Sequence, residues 1–165
     1  MRADCHMHTY FSGDSEAKPE DMVLAAIDKG LEAICFTDHE DIDYFCDDIE
    51  FVFDPETYFK ELGALKEKYK EKLDIRIGLQ PHLAKKAKAF TTAYPYDFVI
   101  GSMHVVGGKD PYYPEFFEGI SDEEAYRMAL RETIADIRAV ADFDVLGHLD
   151  YVVRYGKHRE QEYSY

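Results

Sequence analysis

Long apolar runs are missing from this 165-residue sequence. None approaches the roughly 20 residues that a bilayer span requires, so no segment reads as a membrane anchor. The N-terminus, Met-Arg-Ala-Asp-Cys-His, carries no apolar stretch of signal-peptide type. Cysteine is scarce as well. Cys5, Cys35 and Cys46 are odd in number and show no Cys-x-x-Cys spacing, which argues against a disulfide framework and for a reducing cytoplasm. Basic charge is short: 19 Lys and Arg against 34 Asp and Glu leave a formal net charge of -15. Such a surface repels a phosphate backbone, so nucleic acid is a poor partner. With no internal repeat and no low-complexity linker, the chain reads as one domain, residues 1–165, with 46% hydrophobic residues to build its core.

What the sequence does hold is an alternation of short apolar runs with longer stretches of helical period, the mark of β/α units on a mainly parallel sheet. Strands are expected at Ala3 to His6, Ala33 to Thr37, Ile75 to Gly78, Asp97 to Gly101 and Asp144 to Gly147. Helices are expected from Pro19 to Lys29, closed by Gly30, and from Pro55 to Lys72. A third runs from Ser121 to Asp142, with Ser121 and Glu124 forming a capping box. The segment Gly107 to Gly119 is too rich in Gly and Pro for a helix and is expected to line or cover a site.

The histidines fall in a pattern. His6, His8, His39, His104 and His148 each sit at or just beyond the end of an expected strand, and in a parallel barrel those ends converge on one face. His6 and His8, one residue apart, can project to the same side and offer neutral ring nitrogens to one cation. Asp14 could return from the turn at Gly13 to add a carboxylate. His39 follows the apolar run Ala33 to Phe36 as a ligand, with Asp38 orienting it from behind. Gly101-Ser102-Met103-His104 and Gly147-His148 repeat one order: apolar strand, glycine, histidine. Other positions read as structural. His82 is placed at a helix start and His158 in a charged tail, the acidic runs Asp38 to Asp43 and Asp47 to Glu50 as solvated faces, the first of them bordering the site, and Cys5 as a small buried hydrophobe.

His6-Met7-His8, Thr37-Asp38-His39, Gly101-Ser102-Met103-His104 and Gly147-His148-Leu149-Asp150, in that order, resemble the motifs of the polymerase and histidinol phosphatase (PHP) superfamily. Asp110-Pro111-Tyr112-Tyr113 and the stretch from Gly147 to Gly156 resemble its histidinol-phosphate phosphatase branch. The resemblance implies an α/β fold, a distorted (β/α)7 TIM-like barrel, with up to three divalent ions (Zn, Mn or Fe) in the complete family site. His6, His8, Asp14, His39, His104 and His148 would be ligands. It implies hydrolysis of a phosphomonoester, L-histidinol phosphate and water giving L-histidinol and phosphate in histidine biosynthesis, through water activated by the ions without a protein nucleophile. Arg154 would grip the phosphate, or else form a surface ion pair. Asp14 and Asp150 are the carboxylates closest to the chemistry. Asp150 would orient a water or a ligand, or bind an ammonium group. Tyr112 and Tyr113, with Phe116 and Phe117, would pack against the substrate or serve as core.

Two departures from the family pattern stand out. Where the family has a metal-bridging glutamate, this chain runs Gly78-Leu79-Gln80-Pro81-His82, as though roughly four residues were lost after Gly78, and Gln80 offers only a neutral oxygen. The chain also stops at Tyr165, before the family's last β/α units and their Asp-x-His ligands. The expectation is an incomplete barrel whose open edges a homo-oligomer would cover. The alternatives are a phosphoesterase acting on nucleotides or DNA ends, or a catalytically inactive metal-binding remnant.

Overall fold

The computed structural model describes residues 1–42, 44, 51–84 and 87–163. Cys46, Asp43 and the acidic stretch 47–50 lie outside the described residues.

Among the described residues six strands, all paired in parallel, form the sheet: β1 (Ala3–Met7), β2 (Ala33–Phe36), β3 (His39–Glu40), β4 (Asp74–Pro81), β5 (Phe98–Ser102) and β6 (Val145–Gly147). Their order is β1-β2-β4-β5-β6, with β3 set against the far end of β4. The sheet curls into a half-barrel, the incomplete α/β barrel that the family resemblance implied. Between the strands run α1 (Pro19–Asp28), α2 (Pro55–Tyr69), α3 (Ala87–Thr91) and α4 (Asp122–Ala139), and α5 (Tyr151–Tyr155) follows β6. Among the described residues no helix is long and apolar enough to cross a membrane.

The central strands are buried on both faces, as parallel sheets with helical crossovers require, and β2 is buried at all four positions. α2 presents Tyr58, Leu62 and Leu65 at a spacing of four and three residues. These pack with Val23 and Ala26 of α1 on Ile34, Phe36, Ile75 and Ile77 of the sheet. The hydroxyl of Tyr58 donates to the Gly78 carbonyl at 3.1 Å, tying α2 to β4. α2 is capped by Asp54, whose carboxylate accepts from the Thr57 N–H, and α4 by the Ser121/Glu124 capping box. A second cluster joins α4 to the segment after β5, with Phe116 and Phe117 buried against Ala125, Tyr126 and Val152. Both phenylalanines are therefore core, and they form a 3-10 turn (Pro114–Phe117) in a segment read as free of helix.

Four local expectations are overturned. Cys5 is exposed, because β1 is an outer strand of the sheet and its residues 3–6 are all exposed. The run after β2 is not a solvated face. Asp38, Glu40 and Asp41 are buried, because the chain turns inward and pairs β3 with β4. β4 runs unbroken through Gly78, Leu79 and Gln80. His82 is therefore at a strand end, bridged to Ser102, and not at a helix start.

Candidate functional site

Each histidine of the pattern is delivered by a strand end. β1 carries His6 and hands over to His8, β3 begins with His39, and His104 and His148 follow β5 and β6. The glycines before the last two allow close approach. A Cβ on Gly101 would lie 2.7 Å from Leu83, and one on Gly147 2.6 Å from Ile100 and 2.9 Å from Ser102. His148 itself adopts a left-handed backbone, φ 55°.

The five imidazoles close into a ring. Centroid separations are 5.1 Å from His6 to His8, 4.3 Å to His39, 4.7 Å to His104, 5.0 Å to His148 and 5.4 Å back to His6. Asp14 reaches this ring from the turn after β1. Its Oδ2 is 3.2 Å from His8 Nδ1 and 3.5 Å from His39 Nε2. Burial opposes its ionisation, yet His39 and His8 hold its carboxyl well below the usual range. Burial alone would lower His8, but its hydrogen bonds to Asp14 and Gln80 raise it. His148 moves down to about 4 through burial and the charges of His104, His6, His39 and Arg154, so it stays neutral, with a nitrogen lone pair available.

Sequence reading missed Asp41 as a member and took Gln80 only as a neutral oxygen in place of a carboxylate. Asp41, buried beneath the ring, accepts from His104 Nδ1 at 2.6 Å and from the His82 backbone N–H at 2.6 Å. Gln80 is fully buried with its amide between two rings, Oε1 2.9 Å from His8 Nε2 and Nε2 3.2 Å from His104 Nε2. Asp41 lay hidden in an acidic run. Asp38 does not orient a histidine directly. Its Oδ1 accepts from the hydroxyls of Thr9 and Ser12, both at 3.0 Å, and Ser12 Oγ in turn accepts from the His39 N–H at 2.9 Å.

The ring forms the floor of a cavity of about 490 Å³, lined by His8, Asp14, His39, Asp41, His104 and His148 on one side. Tyr112, Tyr113, Tyr151, Arg154 and Tyr155 line the other. His6 stands beside it, and Asp150 does not reach it: the carboxylate is exposed at the start of α5 and makes no capping bond. The Arg154 guanidinium lies 6.0 Å from the Tyr151 ring, facing the cavity without a carboxylate at ion-pair distance among the described residues. Asp110, also in the cavity lining, accepts from the hydroxyls of Tyr44 at 2.7 Å and Tyr151 at 3.0 Å and from the Tyr112 N–H at 2.8 Å.

The donor set suits a divalent cation. His8, Asp14 and His39, and separately His39, Asp41 and His104, place ligand atoms within 4.8 Å of one another. His39 Nδ1 and His148 Nε2 are buried without a hydrogen-bond partner among the described residues.

A parallel α/β half-barrel with a histidine and carboxylate centre at the carboxyl ends of its strands defines the class. Residues 4–165 match the PHP domain model, and the chain belongs to the PHP domain family. It is 35% identical, over 99% of its length, to the histidinol-phosphatase of Lactococcus lactis, and 33% identical, over its whole length, to the probable histidinol-phosphatase of Clostridium acetobutylicum. It spans 62% and 64% of those two proteins. The crystal structure of the Lactococcus lactis histidinol phosphate phosphatase, complexed with zinc, L-histidinol and phosphate, superposes with a TM-score of 0.86 at 38% identity. The alignment covers 95% of this chain and 61% of that one.

Proposed function

We propose that this chain is a metal-dependent phosphomonoester hydrolase acting on L-histidinol phosphate, releasing L-histidinol and phosphate as a step of histidine biosynthesis. The observation that carries the reading is the five-imidazole ring with Asp14 at the floor of a cavity whose opposite wall presents Arg154 and Asp110. The similarity to a phosphatase crystallised with zinc, L-histidinol and phosphate supports it.

His8, Asp14 and His39 would hold the divalent cation, whether zinc, manganese or iron, with His6, His104 and His148 around it. The bound cation supplies Lewis-acid activation of water and of the phosphoryl group. The residues do the rest. Arg154 donates two parallel hydrogen bonds to the phosphoryl oxygens, for which a planar guanidinium is suited. Asp110, fixed by its three donors, takes the substrate's ammonium group, and Tyr112 and Tyr113 wall the organic part. Asp150 has no role in this arrangement.

We read residues 1–165 as a single PHP domain. It works in the cytoplasm on a small phosphomonoester and not on nucleic acid, and pairs with a second copy along its open sheet edges. The neutral Gln80 at the centre favours a second reading, a metal-binding module without turnover. Phosphate release from histidinol phosphate and from nucleotides, with manganese or zinc added, separates the two. Release from the former supports the proposal. Release from neither, by a protein that binds metal, supports the module.

A further inference from the structure

The two candidate metal triads share His39, and they draw on its opposite nitrogens. Nε2 lies 3.5 Å from Asp14 Oδ2 and Nδ1 lies 3.8 Å from Asp41 Oδ2. A neutral imidazole has one lone pair and one N–H, so it serves one triad as ligand and faces the other with a proton. The carboxylates decide which. Asp41 is saturated from behind: one oxygen accepts from the His82 N–H and the other from His104 Nδ1, both at 2.6 Å. A carboxylate behind the Nδ1 of a histidine fixes the ring so that Nε2 faces forward, the usual arrangement behind metal ligands. Asp41 stands in that relation to His104, whereas His39 Nδ1, 3.8 Å away, lies beyond hydrogen-bond distance. Asp14, by contrast, opens on the cavity with its side chain 43% exposed.

Gln80 completes the asymmetry. With Nδ1 of His104 donating to Asp41, the lone pair of that ring is on Nε2, where it accepts from the Gln80 amide at 3.2 Å. The amide oxygen of Gln80 faces His8 at 2.9 Å. One amide therefore offers an acceptor to the Asp14 side and a capping donor to the Asp41 side, where a carboxylate would offer an anionic oxygen to each.

We propose that this chain holds a single tightly bound divalent cation, in the His8, Asp14 and His39 site, and that the Asp41 triad is not a second metal site: Asp41 engages His104 at Nδ1 and Gln80 caps Nε2 of the same ring, so His104 has no nitrogen left for a second ion. This rests on the reading of the ring as a metal centre.

The test is titration of the full, metal-free chain with Co²⁺, following its visible absorption and counting bound metal after gel filtration. The wild type saturates at one equivalent. Asp14→Asn abolishes that saturation. Asp41→Asn keeps one equivalent at an affinity lowered roughly ten- to a hundredfold, the usual effect of losing an outer carboxylate. Gln80→Glu gains a second equivalent. Two tight equivalents in the wild type, or loss of saturation in Asp41→Asn but not in Asp14→Asn, overturn the inference. So does a folded Gln80→Glu protein that still stops at one, and if circular dichroism shows that variant unfolded, the wild-type stoichiometry and the two aspartate variants decide alone. Two tight equivalents would leave the metal-centre reading standing, and no cobalt uptake at all would sink that reading too. One equivalent without phosphate release would remove the proposed activity and leave this inference intact.

Discussion

His39 and Gln80 are register partners across β3 and β4, a two-residue parallel pairing at the far end of the strand that also holds β2 and β5. The pairing places one side chain from each strand inside the ring of imidazoles. It also sets the direction of the site: the Gln80 N–H donates to the Asp38 carbonyl at 2.9 Å, so a shift of β3 moves His39 and Asp41 together.

Arg154→Ala is expected to raise the KM for histidinol phosphate roughly ten- to a hundredfold, as charge-assisted hydrogen bonds are lost, with kcat falling less. Steady-state kinetics of phosphate release check it, and a KM equal to wild type would return Arg154 to the role of a surface charge.

Asp110→Asn is expected to discriminate between substrates. The variant loses the anion facing an ammonium group, so KM rises for histidinol phosphate and much less for a phosphomonoester of similar size without an amine. Equal losses on both substrates would mean that Asp110 serves only to hold Tyr44 and Tyr151.

Glu40 predicts a pH dependence of stability. Burial, opposed by the Phe53 N–H and reinforced by Asp41, pushes its carboxyl from 4.5 to about 7. The folded value lies above the unfolded one, so the folded state binds the proton more tightly between those limits. Its contribution is fully present below pH 4.5 and is lost as pH rises to about 7, on the order of 3 kcal/mol. In urea denaturation, Glu40→Gln should gain on wild type progressively from pH 5 to pH 7. A constant difference across that range would show that Glu40 titrates normally.

Tyr58→Phe removes the hydroxyl that donates to the Gly78 carbonyl and accepts, at 3.5 Å, from the Asp38 N–H. With Tyr58 fully buried, those groups are left without their partner, and a loss of about 1 to 3 kcal/mol is expected from the denaturant midpoint.

Much of this architecture is legible before folding. The run Ala33 to Phe36 is apolar at every position because both of its faces are covered, and Ser121 with Glu124 announces the start of α4 by chemistry local to four residues. The histidines are legible because strand ends carry them at intervals that packing alone does not explain. Asp41 and the placement of the Gln80 amide are not. An acidic run after a strand looks like a solvated surface until β3 turns it inward, and a glutamine beside Pro81 gives no sign that its amide lies between two imidazoles contributed by the ends of β1 and β5. Both facts belong to tertiary pairing over separations of 24 to 72 residues, which no local pattern records. α5 is hidden for a related reason: five residues are too few for a helical period to declare itself.

The left-handed backbone at His148 has a practical consequence. A side chain there costs about 1 kcal/mol that glycine would not. A library of this protein screened for thermal tolerance alone would thus enrich glycine at position 148 and discard an imidazole of the ring, so selection for a sturdier chain has to be coupled to metal retention at every round.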